Sequence, residues 1–95
     1  MNHVVGYELL NSELASYRSI GFEQLRPLVG ERSCFKKRGR DGVEYEFHID
    51  VQWQTHENGD IRVIGFVGEP GWGGPHDSVD DTFVVTAPIA PDDQT

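Results

Sequence analysis

Three side chains that could bind a metal ion fall at alternate positions of one segment. Glu46, His48 and Asp50 are each separated by a single residue. Alternate residues of a β-strand point to the same face about 7 Å apart, so His48 and Asp50 could share a divalent cation, with Glu46 beside them. Alternating acids are equally typical of a solvated sheet face, and no second histidine lies at ligand spacing. These three residues are therefore only weak metal candidates, and we expect no cofactor.

Cys34 is the only cysteine, and Arg32 and Lys36 lie two residues away on either side of it. A cysteine nucleophile needs a base, and the strand pairing derived below places His48 opposite Cys34. A Cys–His pair is one interpretation, and a small, partly buried side chain in a strand is the other. A single cysteine excludes an intramolecular disulfide, which predicts a reducing, cytoplasmic location.

A basic run, residues 36–40, has the composition of a phosphate or nucleic-acid site. The whole chain carries a net charge of −8, which repels a polyanion at long range. No aromatic residues are interleaved with the basic ones to stack on bases. The sequence therefore argues against nucleic-acid binding and favours a solvated hairpin tip.

The segment from residue 68 to residue 77 is rich in glycine and proline and contains Trp72. It joins two predicted strands with more residues than a hairpin needs, which indicates an irregular loop. Trp72 either folds back over the core or stands exposed as an anchor for a partner, with His76 and Asp77 as polar companions. The three are candidate binding residues.

Most of the remaining sequence predicts β-strands. Polar and large apolar side chains alternate without a break from residue 43 to residue 54, which is the strongest periodicity in the chain. Shorter strands are expected over residues 32–38, 61–67 and 81–86. Asn58-Gly59 is a hairpin signal between the second and third strands.

The turn between the first two strands predicts their register. Residues 39–42 suit a type I turn with Gly42 in the left-handed conformation, which leaves a three-residue connection. A two-residue loop would place Phe35 beside a polar residue. The pairs expected from the longer loop are Lys37–Tyr45, Phe35–Phe47, Ser33–Ile49, Arg38–Glu44, Lys36–Glu46 and Cys34–His48. Residues 1–40 carry a net charge of +3 and residues 41–95 one of −11, so this pairing would neutralise part of the asymmetry within the fold.

Two helical segments are expected before the strands. Apolar residues recur at spacings of three and four over residues 7–19, and Gly21 marks the end of that helix. Phe22, Leu25 and Leu28 suit a short second helical turn, which Pro27 limits.

The third strand is apolar on both of its faces. If the helices cover one face of the sheet, the other face should be polar, yet it would carry Ile64 and Phe66, with Val84 nearby. We expect an exposed apolar patch there, which suggests a homodimer or a protein partner. The alternative is that the Trp72 loop or the C-terminal tail folds over these side chains.

The element order predicts an α+β fold: an N-terminal helix plus a short helical turn packed on one face of a four-stranded antiparallel β-meander. Residues 1–88 would form one domain, because 95 residues are too few for two cores. Residues 89–95 would form a flexible acidic tail. Short apolar runs and the absence of a signal-peptide pattern predict a soluble protein outside the membrane.

This layout resembles helix-on-meander folds of the cystatin-like kind over most of the chain, and the resemblance is one of layout. Residues 60–65 after a long alternating strand also resemble small bacterial proteins, which implies no activity. Three functions remain open. The first is a non-enzymatic protein–protein interaction or regulatory module. The second is an immunity-type inhibitor or nucleic-acid mimic that binds a basic partner. The third is a small metal-dependent or Cys–His enzyme, which the lack of a water-excluding pocket disfavours.

Overall fold

The computed structural model describes residues 2–70 and 78–88 and has the predicted α+β architecture. The helical elements are α1 (His3–Ile20), α2 (Phe22–Leu25) and a 3-10 turn (Arg26–Leu28). The strands are β1 (Arg32–Arg38), β2 (Glu44–Trp53), β3 (Ile61–Gly68) and β4 (Ser78–Val85). They form one antiparallel meander in the order β1-β2-β3-β4. In the described part of the chain, no helix is long and apolar enough to cross a membrane.

Helix α1 begins earlier than the apolar spacing alone predicts, because Asn2 caps it. The Asn2 side-chain oxygen accepts hydrogen bonds from the backbone N–H groups of Val4 and Val5, at 3.0 and 3.2 Å. These are donors that a helix N-terminus leaves without a partner. The helix ends as predicted at Gly21, whose φ of +82° is strained for other residues. Asn2 therefore adds a turn to the helix that apolar periodicity could not reveal.

The hairpin between β1 and β2 has the predicted register, and all six expected pairs are confirmed. The Gly42 N–H donates to the Gly39 carbonyl at 3.0 Å, and the Gly39 N–H donates to the Val43 carbonyl at 2.8 Å. Gly42 has a φ of +81°, the left-handed conformation that the turn requires. A one-residue slip is excluded, because it would turn Phe47 away from the core.

The core lies between helix α1, Leu25 of α2 and one face of the sheet. On β2 this face carries every second residue from Tyr45 to Val51, all buried. The fully buried side chains are Val5, Leu10, Leu14, Leu25, Tyr45, Phe47, Ile49, Ile61, Val63 and Val67. Twelve buried hydrophobic residues form one cluster, so a single core holds the described elements together.

The opposite face of the sheet, which we call the open face, is covered by none of the described helices. It is built from the alternate residues of each strand that point away from α1. One cross-strand row contains Cys34, His48, Phe66 and Asp80, and the next contains Arg32, Asp50, Ile64 and Thr82.

Two basic residues of the β1–β2 hairpin, Lys37 and Arg40, contact helix α1 rather than β2. Lys37 forms an ion pair with Glu13, and Arg40 binds both carboxylate oxygens of Glu8, at 2.9 and 3.1 Å. This bond lowers the pKa of Glu8 below its ordinary value and raises that of Arg40. The expected ion pairs across the strands are wrong in their partners: within the described residues neither Lys36–Glu46 nor Arg38–Glu44 is an ion pair, and Arg32 binds Asp50 on β2 instead.

Tyr45 anchors the same hairpin to the core. Its ring is buried, and its hydroxyl donates to the Asp41 carboxylate at 2.6 Å. The other Asp41 oxygen accepts the Val43 N–H at 3.1 Å. The hydrogen bond from Tyr45 holds the pKa of Asp41 below its ordinary value. Burial raises the pKa of Tyr45, and its hydrogen bond to Asp41 raises it further.

We expect Tyr45→Phe to reduce the free energy of unfolding by about 1 kcal/mol at neutral pH, the net value of a typical hydrogen bond. Because the pKa of Asp41 is lowered, its ionised carboxylate stabilises the fold at pH values above 3.8, its ordinary pKa. This stabilisation is lost as the pH falls through the pKa that Asp41 has in the folded state. Because the pKa of Tyr45 is raised, its protonated hydroxyl stabilises the fold at pH values below 10.0, its ordinary pKa. This stabilisation is lost as the pH rises through the pKa that Tyr45 has in the folded state. Urea titrations of wild type and variant across pH should thus diverge most near neutrality. A difference that is constant across pH would contradict the coupling.

Candidate functional site

Cys34, His48 and Glu46 form a continuous line of polar contacts on the open face. The Cys34 Sγ lies 3.4 Å from His48 Nδ1, and His48 Nε2 lies 2.8 Å from Glu46 Oε2. The β1–β2 register places Cys34 directly opposite His48. Glu46 and His48 are two residues apart on β2, so the alternation of the strand places them on the same side.

This line has the order of a nucleophile, a base and a group that orients the base. One ring nitrogen of His48 faces the thiol, and the other is held by the carboxylate, which fixes the ring. The side chains of His48 and Glu46 are half-buried, at 28% and 24% exposure. Cys34 is exposed, so its interpretation as a partly buried packing residue is wrong. The thiol is open to reagents in solution, while its partners are held in place.

A shallow cleft of about 190 Å³ adjoins the thiol and is lined by Cys34, Phe35, Lys36 and Glu46. The ring of Phe35 is stacked on Phe47 on the core face, with centroids 4.9 Å apart, which holds this part of β1 against β2. Lys36 is exposed and forms no ion pair with any described residue. The cleft therefore combines a thiol, an ammonium group and the carboxylate that contacts His48.

The three weak metal candidates are not assembled into a metal site. Asp50 is buried, at 8% exposure, and Arg32 binds both of its oxygens, at 2.6 and 2.9 Å. This hydrogen-bonded pair raises the pKa of Arg32. The described residues contain no group of three or more His, Cys, Asp or Glu side chains that could hold a metal ion. Glu46 and His48 contact each other rather than converging on a common position for a metal ion.

The predicted apolar patch is only partly exposed in the described structure. Ile64 and Phe66 are half-buried on the open face, whereas Val84 on β4 is 44% exposed. The other candidate binding residues, Trp72, His76 and Asp77, lie outside the described residues, as does the predicted tail. The described open face thus offers a narrow apolar strip of three residues: Ile64, Phe66 and Val84.

Sequence patterns did not point to a second cleft, which lies on the helical side of the sheet. It has a volume of about 320 Å³ and is lined by Glu13, Ser16, Tyr17, Ile20 and Leu28. Its hydroxyl groups, those of Ser16 and Tyr17, have no histidine among the lining residues, and Glu13 is bound by Lys37. The lining residues lie on α1 and on the 3-10 turn, and no local sequence pattern predicts how these two elements are placed relative to each other.

The chain matches no protein-family model, no curated protein and no solved structure.

Proposed function

We propose that this protein is a non-enzymatic interaction module whose open face binds a second copy of the chain. The observation that carries the proposal is the one-sided cover of the sheet: α1 and α2 pack on the core face, and none of the described helices packs on the other. The apolar strip lies in the face that no described helix covers. Antiparallel sheets with one solvated face normally present polar residues there, so apolar side chains at its centre favour a contact surface.

The distribution of charge across the open face supports a second copy as the partner. At one edge, β1 presents three cations to this face, Arg32, Lys36 and Arg38. At the other edge, β4 presents Asp80. Two copies that face each other across a two-fold axis parallel to the strands would place β1 of each copy over β4 of the other. That arrangement brings opposite charges together at both edges and the apolar strips towards the centre.

The size of the face predicts a weak association. Four strands at about 4.8 Å spacing and about eight residues in length cover roughly 500 Å². Two copies would bury roughly 1,000 Å² in total, which is at the lower limit for a specific interface. We therefore expect a dissociation constant in the micromolar range and a dimer that forms reversibly.

The alternative of an acidic inhibitor or nucleic-acid mimic requires a surface of unpaired carboxylates. In the described structure Glu8, Glu13 and Asp50 are each bound by a cation of the same chain. The open face itself carries both signs of charge. These internal pairs favour self-association over binding to a basic partner.

Sedimentation velocity over a concentration series tests the proposal. We expect Phe66→Asp to weaken the dimer by at least about tenfold, because it places a carboxylate in the centre of an apolar contact. Val84→Asp should act in the same direction, and its exposed position minimises any effect on folding. Val4→Asp is the matched control: it makes the same chemical change at a position that is 63% exposed on α1.

Circular dichroism must first show that all three variants are folded. The proposal requires that both open-face variants dissociate at concentrations where wild type and Val4→Asp remain associated. A wild-type protein that sediments as a monomer up to millimolar concentration would exclude the dimer. Equal weakening by Val4→Asp would place the contact elsewhere.

A further inference from the structure

We propose that Cys34 is a thiol–disulfide exchange site that forms a mixed disulfide with small, negatively charged disulfides. The inference rests on three separate features of the described residues. These are the contact line from Cys34 through His48 to Glu46, the cleft beside the thiol, and the Lys36 ammonium group that lines this cleft. It concerns the open face but does not depend on self-association.

The first feature gives the thiol a base. Disulfide exchange proceeds through the thiolate, so a group that removes the thiol proton in place accelerates it. His48 Nδ1 lies 3.4 Å from the sulfur, within the hydrogen-bond range for sulfur. Glu46 holds the far nitrogen at 2.8 Å and stabilises the ring when it carries the extra proton. Two strands of the sheet fix this geometry, so it needs no induced rearrangement.

The reaction balances without a further oxidant. The Cys34 proton passes to His48 as the sulfur attacks one sulfur of the incoming disulfide. A new S–S bond forms to Cys34, and the S–S bond of the reagent breaks with its electron pair on the departing sulfur. That thiolate takes the proton from His48 and leaves as a thiol. The disulfide is the oxidant: it is reduced to one free thiol, and Cys34 is oxidised to the mixed disulfide.

The remaining features select the reagent. Lys36 lines the cleft and makes no ion pair among the described residues, whereas Arg32 is bound by Asp50, and Glu46, which also lines the cleft, contacts His48. The ammonium group of Lys36 attracts a carboxylate-bearing disulfide and repels an amine-bearing one. The cleft, at about 190 Å³, is smaller than typical ligand cavities of roughly 300 Å³ or more. It can therefore contact the part of the reagent next to the reacting sulfur, which points to a small disulfide rather than a folded partner.

The test measures the second-order rate of mixed-disulfide formation by intact-protein mass spectrometry at neutral pH. Oxidised glutathione is the anionic probe and cystamine the cationic one, each compared with its rate towards 2-mercaptoethanol, a thiol without a charged substituent, to remove intrinsic reactivity. The chain has one cysteine, so the readout reports Cys34 alone, and Cys34→Ser is the blank. The preference of Cys34 for glutathione over cystamine should exceed that of 2-mercaptoethanol.

Variants separate the roles of the three features. We expect His48→Gln to slow both probes by at least about tenfold, because it removes the proton acceptor. Glu46→Gln should slow them less. Lys36→Gln should lower the preference for glutathione, because it slows the reaction with glutathione and speeds the reaction with cystamine. Gln54→Ala, on the exposed segment after β2, is the control and should change neither rate.

The same measurements in Val84→Asp, whose substitution lies outside the cross-strand row of Cys34 and His48, separate this inference from the proposed dimer. Reaction of this variant with the His48 dependence intact supports the thiol site whether or not wild type dimerises. A folded His48→Gln that reacts at the wild-type rate overturns the inference. A preference for glutathione over cystamine equal to that of 2-mercaptoethanol also overturns it, as does a Cys34 that reacts neither in wild type nor in the variant.

Discussion

Phe47→Ala is expected to remove about 3–5 kcal/mol from the free energy of unfolding, the largest effect of any substitution considered for this chain. The Phe47 ring is completely buried and stacks on Phe35 at 4.9 Å, with an angle of 9° between the rings. Its loss would leave a cavity in the single core of a small domain. Domains of this kind have total stabilities of about 5–15 kcal/mol, so the variant should lie close to its unfolding transition at room temperature.

Urea denaturation followed by tryptophan fluorescence measures this effect. Phe35→Ala is the matched control, because it removes the other half of the same stacked pair from a half-buried position on the edge strand. It should cost distinctly less, since its neighbours can relax towards solvent. If Phe35→Ala were as destabilising as Phe47→Ala, the core would be centred on β1 rather than on β2 and β3.

The register of the first hairpin could be predicted because local chemistry specifies it. Gly42 allows the left-handed turn residue, and the alternation on either side of the turn permits only one alignment that buries Phe47. The opposition of Cys34 and His48 follows from the same count. This part of the candidate site was therefore implicit in the sequence.

The partners of the long charged side chains could not be predicted in the same way. Lys36 and Lys37 are neighbours, yet Lys37 reaches Glu13 on α1, and Lys36 makes no ion pair within the described residues. Which of them is paired depends on where the helix lies over the sheet, and this is determined by packing distant in sequence. Likewise, Arg32 binds Asp50 and removes it from any metal site. The alternation of residues along a strand predicts which face of the sheet a side chain lies on, but not which residue it contacts.

The contact between helix and sheet that decides these pairings depends on Gly65, a residue without a side chain. Gly65 lies on the core face of β3, opposite Ile49 on β2. A Cβ atom placed there would lie 2.6 Å from Leu10 Cδ1 and 3.2 Å from Leu14 Cδ2. These distances are shorter than normal van der Waals contacts, so the glycine lets α1 approach the sheet closely.

We expect Gly65→Val to destabilise the protein by about 1–3 kcal/mol, because Leu10 and the helix must move outward. Strand propensity alone favours valine over glycine by up to about 1 kcal/mol, so the steric effect must exceed that gain. Gly65→Ala should show a smaller loss, and the loss should shrink further in the presence of Leu10→Ala, which removes the atom that the new side chain meets. Urea denaturation of the four members of this cycle gives the coupling energy directly. A coupling of zero, or a stabilised Gly65→Val, would mean that α1 does not pack against β3 at this point, and the contacts of Lys37 and Arg40 with the helix would then need another explanation.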